Sequence, residues 1–205
     1  MHCLVVKAHP LSESLCSSLT SHIVGLLERA GHTVEVEDLY ARGFAPALTV
    51  EERHSYFDHY AGQQASAEIE RLLSAEAVVL VFPTWWFGFP AILKGWFDRV
   101  WAPGVAYDHA DDYGPITPRL NRLRHMLVVT SLGSPWWVDR LVLWQPVKRV
   151  LKTAIVRTCA PACHLKMLSL YKSERLSPAQ VDRFMTRIER AIERWPPPAD
   201  AVAAA

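Results

Sequence analysis

Short apolar runs alternate with segments of helical periodicity along this chain. The run CLVV at residues 3–6 predicts a first strand, and apolar residues spaced three and four apart then predict an amphipathic helix from about residue 15. Gly31 is placed to end that helix in the left-handed conformation. Further strands are predicted at 33–40, 75–83, 125–131 and 164–171, and further helices at 65–74, 92–101, about 140–156 and 178–195.

The order and hydrophobicity of these elements predict the fold class. Residues 75–83 form the most continuous apolar run, which is typical of a central strand buried on both faces. Val34 and Val36 alternate with acidic residues, so their strand is expected nearer the sheet edge. Strands that alternate with helices favour parallel pairing, because parallel neighbours need right-handed crossovers. The sequence therefore predicts an α/β fold, with a five-stranded parallel sheet and helices on both faces.

Chain length limits the number of domains. A chain of 205 residues with 50% hydrophobic composition can bury one substantial core. A single domain is predicted over residues 1–195, and residues 196–205 are predicted to be a disordered tail because they begin with prolines and lack periodicity. The apolar run before Lys7 is too short for a signal peptide or a membrane span, so a cytoplasmic protein is expected.

Charge and cysteine content limit the classes of partner. The 22 basic and 21 acidic side chains are spread along the chain, so neither nucleic acid nor a membrane is expected as a partner. Cys159 and Cys163 lie in the cluster CAPACH, which lacks the second pair of ligands that a zinc site needs. The cysteines are therefore predicted to be buried thiols, and no metal is expected.

Open parallel sheets bind their ligands at the carboxyl ends of their strands. After the first predicted strand, residues 8–16 contain neither the phosphate loop of nucleoside triphosphatases nor the GxGxxG fingerprint. His9, Ser12, Ser14 and Ser17 instead offer polar side chains beside a helix N-terminus, which favours a bound phosphate or pyrophosphate. The alternative is that Ser12 or Ser14 only caps the helix.

The segment PTWWFGFP, residues 83–90, follows the third predicted strand. A proline at each end predicts a stiff loop whose backbone amides face the crevice. Trp96 and Phe97 lie farther on, at helical spacing, and are predicted to be structural. The loop aromatics lack helical register, so they are expected to pack against a ligand or a partner chain. They are Trp85, Trp86, Phe87 and Phe89.

A third loop, TSLGSPWW at residues 130–137, follows the fourth predicted strand with hydroxyl groups, a glycine and more aromatics. Together the three loops predict a polar corner of phosphate size beside a flat aromatic slot. A flavin nucleotide fits this combination, since its phosphate is anionic and its isoalloxazine needs backbone donors and apolar cover.

Four segments carry a resemblance to a known family: AHP followed by serines, GHTVEVEDLYARGFAPAL, FPTWWFGFPAILKGWFDRVW and GVAYDH. Together they resemble the flavodoxin-like NAD(P)H:quinone oxidoreductases, also called DT-diaphorase-like flavoproteins. The similarity covers residues 1–137 and continues faintly to residue 195. It implies a flavodoxin-like fold for the predicted sheet and helices.

The resemblance also implies a homodimer with two active sites at its interface. Each site is expected to hold FAD, or alternatively FMN, non-covalently, with NADPH or NADH as the reductant. Quinones or related aromatic acceptors are expected to be reduced by two electrons in a ping-pong cycle, with hydride passing through flavin N5. No protein nucleophile or general base is expected, because the chemistry belongs to the cofactor.

The same resemblance implies the site residues, position by position. Those expected at the phosphate end are His9, Ser14, Leu15 and Cys16. Those expected around the ring are Pro83, Thr84, Trp85, Trp86 and Phe87 after the third strand, and Thr130, Ser131, Leu132 and Gly133 after the fourth. Those expected in the substrate pocket are Tyr107 and His109, which roof the pocket of the partner subunit, and Trp86.

Three departures from the family pattern bear on these expectations. Cys16 stands where an asparagine is usual, and Leu132 stands where glycine is frequent. The segment PWWVDR at residues 135–140 replaces a tyrosine and a histidine that the best-known members use to receive charge from the reduced flavin. Either backbone dipoles alone or another residue such as His109 is then expected to serve.

Two other functions stay open at this point. Close relatives of this family are regulatory subunits of potassium-efflux systems, and nothing in the sequence excludes that role. A one-electron carrier of the flavodoxin type agrees less well with the chain, because such carriers are strongly acidic whereas this chain has a net charge of +1.

Overall fold

Five parallel strands form the central sheet of this structure, a computed structural model that describes residues 1–110 and 114–197. The sheet has its central strand at residues 77–83 and the strand at 33–38 at one edge, so both predictions of strand position are confirmed. The strands are β1 (His2–Lys7), β2 (Thr33–Asp38), β3 (Ala77–Pro83), β4 (Tyr107–Asp108), β5 (Thr117–Pro118), β6 (His125–Leu132) and β7 (His164–Tyr171). The sheet order is β2-β1-β3-β6-β7, while β4 and β5 form a separate antiparallel pair.

Helices cover both faces of the sheet, as the crossovers between parallel strands require. The α-helical segments are α1 (Leu15–Arg29), α2 (Val50–His54), α3 (Ser66–Ser74), α4 (Ala91–Val100), α5 (Pro146–Arg149), α6 (Arg157–Cys159) and α7 (Pro178–Ile192). A 3₁₀ turn spans Gln63–Ala65, and π-helical turns span Val138–Val142 and Val150–Val156. No helix in the described part of the chain is long and apolar enough to cross a membrane.

Alternate side chains of the strands enter two separate hydrophobic cores. Cys3 and Val5 of β1 lie in the core that includes residues of α1 and α7. Leu4 and Val6 lie in the core that includes residues of α3 and α4. Because both faces of the sheet are buried, β3 carries an apolar run rather than an alternating pattern.

Two helix ends have the residues that predicted them. Gly31 follows α1 with a φ of 78°, and its amide donates to the carbonyl of Glu28 at 2.9 Å. Ser177 precedes α7, where its amide donates to the side chain of Gln180 at 2.9 Å, and Pro178 occupies the first turn. The start predicted for the last helix is therefore confirmed, although the helix ends at residue 192 rather than 195.

The continuous helix predicted over residues 140–156 is wrong. The chain leaves helical geometry near residues 143–145, where Trp144 and Gln145 have φ of 57° and 51°. Gln145 precedes Pro146, and the proline ring disfavours a helical conformation in the residue before it. A new helical segment then runs from Pro146 to Cys159 through α5, a π-helical turn and α6. Most of the predicted tail, residues 198–205, lies outside the described residues.

Two buried carboxylates hold α4 against its neighbours. Glu52 of α2 accepts hydrogen bonds from Arg99 through both carboxylate oxygens, at 2.7 to 3.0 Å, and both side chains are almost fully buried. Glu37 of β2 accepts from the indole of Trp96 at 2.6 Å and lies 3.3 Å from Arg71. Burial raises the pKa of Glu37 to about 7. Since both contacts involve α4, they fix the helix that begins directly after the PTWWFGFP segment.

Replacing Arg99 with methionine is expected to lower the free energy of unfolding by about 3–5 kcal/mol, because Glu52 then stays buried without its cation. Lys94→Met is the matched control on the same helix. Lys94 pairs with Asp98 at 2.6 Å, but both side chains are exposed, so a loss of about 0.5 kcal/mol is expected. Urea unfolding followed by circular dichroism measures both variants, and equal losses would contradict the anchoring role of Arg99.

Candidate functional site

The segment between β3 and α4 contains a tight turn. The amide of Gly88 donates to the carbonyl of Trp85 at 2.9 Å, and the two residues between them, Trp86 and Phe87, have φ of 50° and 56°. Two consecutive positive φ values define a type I′ turn, which glycine and asparagine normally occupy. For two aromatic residues this backbone costs roughly 1–2 kcal/mol each. The surrounding structure therefore holds the turn in a conformation that its sequence disfavours.

The aromatic side chains of this loop divide into two groups. Trp86 is 100% exposed. Phe89 contacts Phe82 and Phe97, with ring centroids 5.8 and 5.3 Å apart. It is only partly buried and also lines a cavity, so the expectation that it packs against a ligand or a partner stays a prediction. Trp96 and Phe97 are buried, as predicted.

The backbone amides of the loop differ in their partners. The amide of Thr84 donates to the carbonyl of Ser131 at 2.8 Å, and the hydroxyl of Thr84 lies 2.7 Å from that of Thr130. These contacts extend the pairing of β3 with β6 by one residue. The amides of Trp86 and Phe87 have no hydrogen-bond acceptor among the described residues. They are therefore free to donate to a ligand, whereas the amide of Thr84 is engaged within the protein.

A cavity of about 290 Å³ opens beside this turn, at the carboxyl ends of β3, β6 and β7. Its lining residues are Pro83, Thr84, Trp85, Trp86, Ser131, Gly133, Ser173 and Glu174. All but the last two are positions that the family resemblance assigns to a flavin ring. Three other positions assigned to the ring, Phe87, Thr130 and Leu132, do not line the cavity, and the last two are buried within β6.

Ser173 and Glu174 were missed by the sequence analysis. They belong to the loop after β7, whose carboxyl end lies at the same sheet edge as those of β3 and β6. The rule that ligands bind at the carboxyl ends of parallel strands applies to this fifth strand as well. Applied there, that rule would have added both residues to the candidate site.

The loop after β1 ends at the N-terminus of α1. The hydroxyl of Ser14 accepts a hydrogen bond from the amide of Ser17 at 3.1 Å, so Ser14 caps the helix. The amides of Leu15 and Cys16 have no acceptor within the helix, because the first turn of a helix leaves its N–H groups unpaired. Capping by Ser14 therefore leaves two amides and the positive end of the helix dipole at this position.

His9 and Cys16, both expected at a phosphate, have different surroundings. Nδ1 of His9 lies 3.1 Å from the amide nitrogen and 3.3 Å from the carbonyl oxygen of Leu11, so this atom is engaged locally and Nε2 is the ring nitrogen left for a ligand. The side chain of Cys16 lies in the core beneath α1, and burial raises the pKa of its thiol to about 11. Only the main chain of Cys16 is available to a ligand. The presence of cysteine in place of the family's usual asparagine therefore matters less for binding at this position.

Lys7, at the end of β1, is a buried cation beside this loop that the sequence analysis did not identify. Its ammonium lies 2.7 Å from the carboxylate of Asp38 and 3.2 Å from the hydroxyl of Ser17. The Ser17 hydroxyl in turn lies 3.0 Å from that of Ser14, the helix cap. Lys7, Ser12, Ser17 and Asp38 share the lining of a cavity of about 520 Å³ beside α1. The sequence feature that could have identified Lys7 is its position immediately after the apolar run of residues 3–6.

Tyr107 and His109 lie apart from the Trp86 turn. Their rings are 5.2 Å apart, and Tyr107 accepts or donates a hydrogen bond at 3.0 Å with the hydroxyl of Tyr56. Burial raises the pKa of Tyr107. Tyr107 lines a different cavity, of about 230 Å³, between α4 and the helical segment that starts at Pro146. The described part of this chain therefore does not bring the three expected substrate-pocket residues together in the cavity beside Trp86.

The cysteines are free thiols. Burial raises the pKa of Cys159 to about 11 and that of Cys163 to about 12, so both stay protonated near neutral pH. Within residues 1–110 and 114–197, no cluster of three or more His, Cys, Asp or Glu side chains is arranged to hold a metal ion.

Residues 1–195 match a family model, and the chain therefore belongs to the family described as having a flavodoxin-like fold. This membership agrees with the sheet order and with the loops that meet at its carboxyl edge. Among solved structures, an NAD(P)H:quinone oxidoreductase from Methanothermobacter marburgensis has a TM-score of 0.79 and 28% sequence identity. The alignment covers 93% of this chain and 94% of that one.

Two curated relatives are similar over shorter segments. An uncharacterised NAD(P)H oxidoreductase of Haemophilus influenzae is 37% identical over 108 residues, which cover 52% of this chain and 54% of the relative. The NAD(P)H dehydrogenase [quinone] 1 of Rattus norvegicus is 33% identical over 150 residues, covering 64% of this chain and 53% of the relative. This chain thus spans about half the length of the curated relatives that it matches.

The left-handed backbone at Trp86 predicts that two small substitutions differ in their effect on stability. Trp86→Gly is expected to give a protein about 1 kcal/mol more stable than Trp86→Ala, because only glycine adopts a positive φ without strain. Both variants remove the same exposed indole, so the effect of losing that side chain cancels when their stabilities are compared. Thermal unfolding of the two variants measures the difference. An alanine variant as stable as the glycine variant would contradict the type I′ turn.

Proposed function

We propose that this chain is a flavin-dependent oxidoreductase that reduces quinones or related aromatic acceptors with NADPH or NADH. One observation carries the proposal: an aromatic turn with two unpaired amides lies at the same sheet edge as an open helix N-terminus with a histidine donor. The similarity to the rat NAD(P)H dehydrogenase [quinone] 1 and to the Methanothermobacter NAD(P)H:quinone oxidoreductase supports the class of reaction.

The turn and its cavity fit the ring of a flavin. An isoalloxazine needs hydrogen-bond donors along its polar edge and apolar cover on a face. The amides of Trp86 and Phe87 supply donors, and the hydroxyl of Ser131 lines the same cavity. Trp85, which is 43% exposed, and Trp86 supply aromatic surface. These groups would hold the ring without any charged contact from the turn itself.

The loop after β1 fits the phosphate end. The amides of Leu15 and Cys16 and the Nε2–H of His9 are donors, and the N-terminus of α1 favours an anion. The ammonium of Lys7 lies 3.2 Å from the Ser17 hydroxyl, and the carboxylate of Asp38 at 2.7 Å offsets its charge. We propose FAD as the cofactor, with FMN as the alternative, because the cavity of about 520 Å³ shared by Lys7 and Ser17 offers room for a nucleotide beyond the phosphate.

The roles of the protein follow from this assignment. When bound, the flavin supplies two-electron hydride chemistry. The residues of the chain bind it, orient it and exclude water: the amides at the turn fix the ring, and Trp85 and Trp86 shield the slot in which acceptor and reductant alternate. No side chain of this chain is assigned as a nucleophile or general base.

We further propose that the active unit is a homodimer. The segment after β6 exposes a large apolar surface for a single chain, and a second copy would cover it. Its exposed apolar residues include Trp136, Trp137, Leu141 and Trp144. Tyr107 and His109, which do not line their own chain's Trp86 cavity, would then roof the pocket of the partner subunit. This arrangement accounts for the separation between the two sets of residues.

Flavin titration tests the proposed function directly. The purified protein is expected to bind FAD or FMN with saturable quenching at one flavin per chain. The loaded protein is then expected to oxidise NADPH or NADH with a small quinone, giving parallel double-reciprocal lines. A protein that takes up neither flavin would overturn the proposal, and intersecting lines would contradict a shared slot for reductant and acceptor.

His9→Ala tests the phosphate end separately. This variant is expected to bind FMN about tenfold more weakly, because a hydrogen bond to a charged phosphate is lost. Its affinity for riboflavin, which has no phosphate, is expected to be unchanged. His59→Ala, which removes an exposed histidine elsewhere, is the matched control and should alter neither affinity. An equal loss for FMN and riboflavin would contradict the assignment of His9 to the phosphate.

A further inference from the structure

Glu174 is the one acidic side chain that lines the cavity beside the Trp86 turn. It lies in the loop after β7, on the opposite side of β6 from the aromatic turn. The other polar groups of the cavity are the hydroxyls of Thr84, Ser131 and Ser173, which are neutral. A carboxylate in this position is unexpected in a slot that otherwise presents neutral donors and aromatic surface.

Backbone hydrogen bonds fix the loop that carries Glu174. The amide of Ser173 donates to the carbonyl of Leu132 at 2.9 Å, and the amide of Lys172 donates to that of Ser134 at 3.2 Å. The amide of Arg175 donates to the carbonyl of Lys172 at 3.1 Å, which closes a turn around residues 173 and 174. The loop that carries Glu174 is thus tied to the loop after β6.

Gly133 lies beside the carboxylate of Glu174. A β-carbon built at Gly133 would lie 3.1 Å from Oε1 of Glu174, closer than side chains normally approach one another. The φ of Gly133 is not in the left-handed region, so its backbone does not require glycine. The contacting atom is the far end of an exposed side chain, so this approach places Glu174 beside Gly133 without requiring glycine there.

Glu174 has no countercharge or hydrogen-bond donor among the described residues. No lysine, arginine or histidine in residues 1–110 and 114–197 lies within 4.0 Å of its carboxylate, although Lys172 and Arg175 are its near neighbours in sequence. Glu174 is exposed, and a surface ion pair with either neighbour would contribute little to stability. Its carboxylate lines the cavity without a partner among the described residues.

We propose that Glu174 tunes the reducing power of the flavin bound in this cavity, an inference that rests on the proposed function. A ring that gains electrons becomes more negative, and a carboxylate beside it opposes that change. Glu174 therefore weakens binding of the reduced flavin relative to the oxidised flavin and makes the bound cofactor a stronger reductant.

The midpoint potential of the bound flavin tests this proposal. Two charges about 4 Å apart change an equilibrium about fivefold even in water, and a tenfold change in a two-electron couple corresponds to about 30 mV. Glu174→Gln is therefore expected to raise the potential by about 20 mV or more, and Glu174→Lys to raise it further in the same direction. Glu70→Gln, which removes one exposed carboxylate from α3, is the control for net charge and should leave the potential unchanged.

The measurement uses the full-length protein loaded with FMN and, separately, with FAD, equilibrated with a redox dye of known potential. Fluorescence titration of each variant with oxidised flavin accompanies it, and changes of less than about threefold are expected. Equal potentials in wild type and the Glu174 variants would overturn the tuning role while leaving the proposed function intact. Failure of the wild-type protein to bind either flavin would overturn both.

Discussion

A strained aromatic turn at the end of a buried strand is the feature on which the candidate site depends. Trp86 and Phe87 hold positive φ values that their side chains disfavour, and their amides have no acceptor among the described residues. Such a turn persists only where its ends are fixed. β3 fixes one end at the centre of the sheet, and α4 fixes the other through Arg99 and Trp96, which are held by Glu52 and Glu37. The buried ion pair is thus linked to function through the geometry of the turn.

The site is assembled from the ends of several strands, and each contributes a different kind of interaction. The loop after β1 offers donors and a helix dipole suited to an anion, while the turn after β3 offers amides and aromatic surface suited to a flat ring. The loop after β7 adds Glu174, a negative charge that neighbouring lysine and arginine residues leave unpaired. In this account, main-chain groups on one side of the cavity bind the flavin, and the side chain of Glu174 on the other side adjusts its reduction potential.

Strong local patterns predicted the fold well, whereas effects of tertiary structure escaped prediction. The apolar run of β3 predicted a central strand, because burial on both faces requires apolar residues at every position. The alternation in β2 predicted an edge strand, because fewer of its side chains need to be apolar. The break at Trp144 was missed although Pro146 signalled it. The contact of Phe89 with the core follows a type I′ turn formed by two aromatic residues, for which sequence preferences give no indication. Lys7 and Glu174 were missed although each had a sequence signal: a lysine after an apolar run, and a loop at the carboxyl end of the fifth predicted strand.

Backbone amide exchange at the turn tests the central claim most directly, since it observes the groups proposed to hold the ring. On addition of saturating FMN or FAD, the amides of Trp86 and Phe87 are expected to exchange at least about tenfold more slowly, because they gain acceptors. The amide of Gly88 already donates to Trp85 and should change little. Saturable flavin binding that leaves the exchange of Trp86 and Phe87 unchanged would contradict the account.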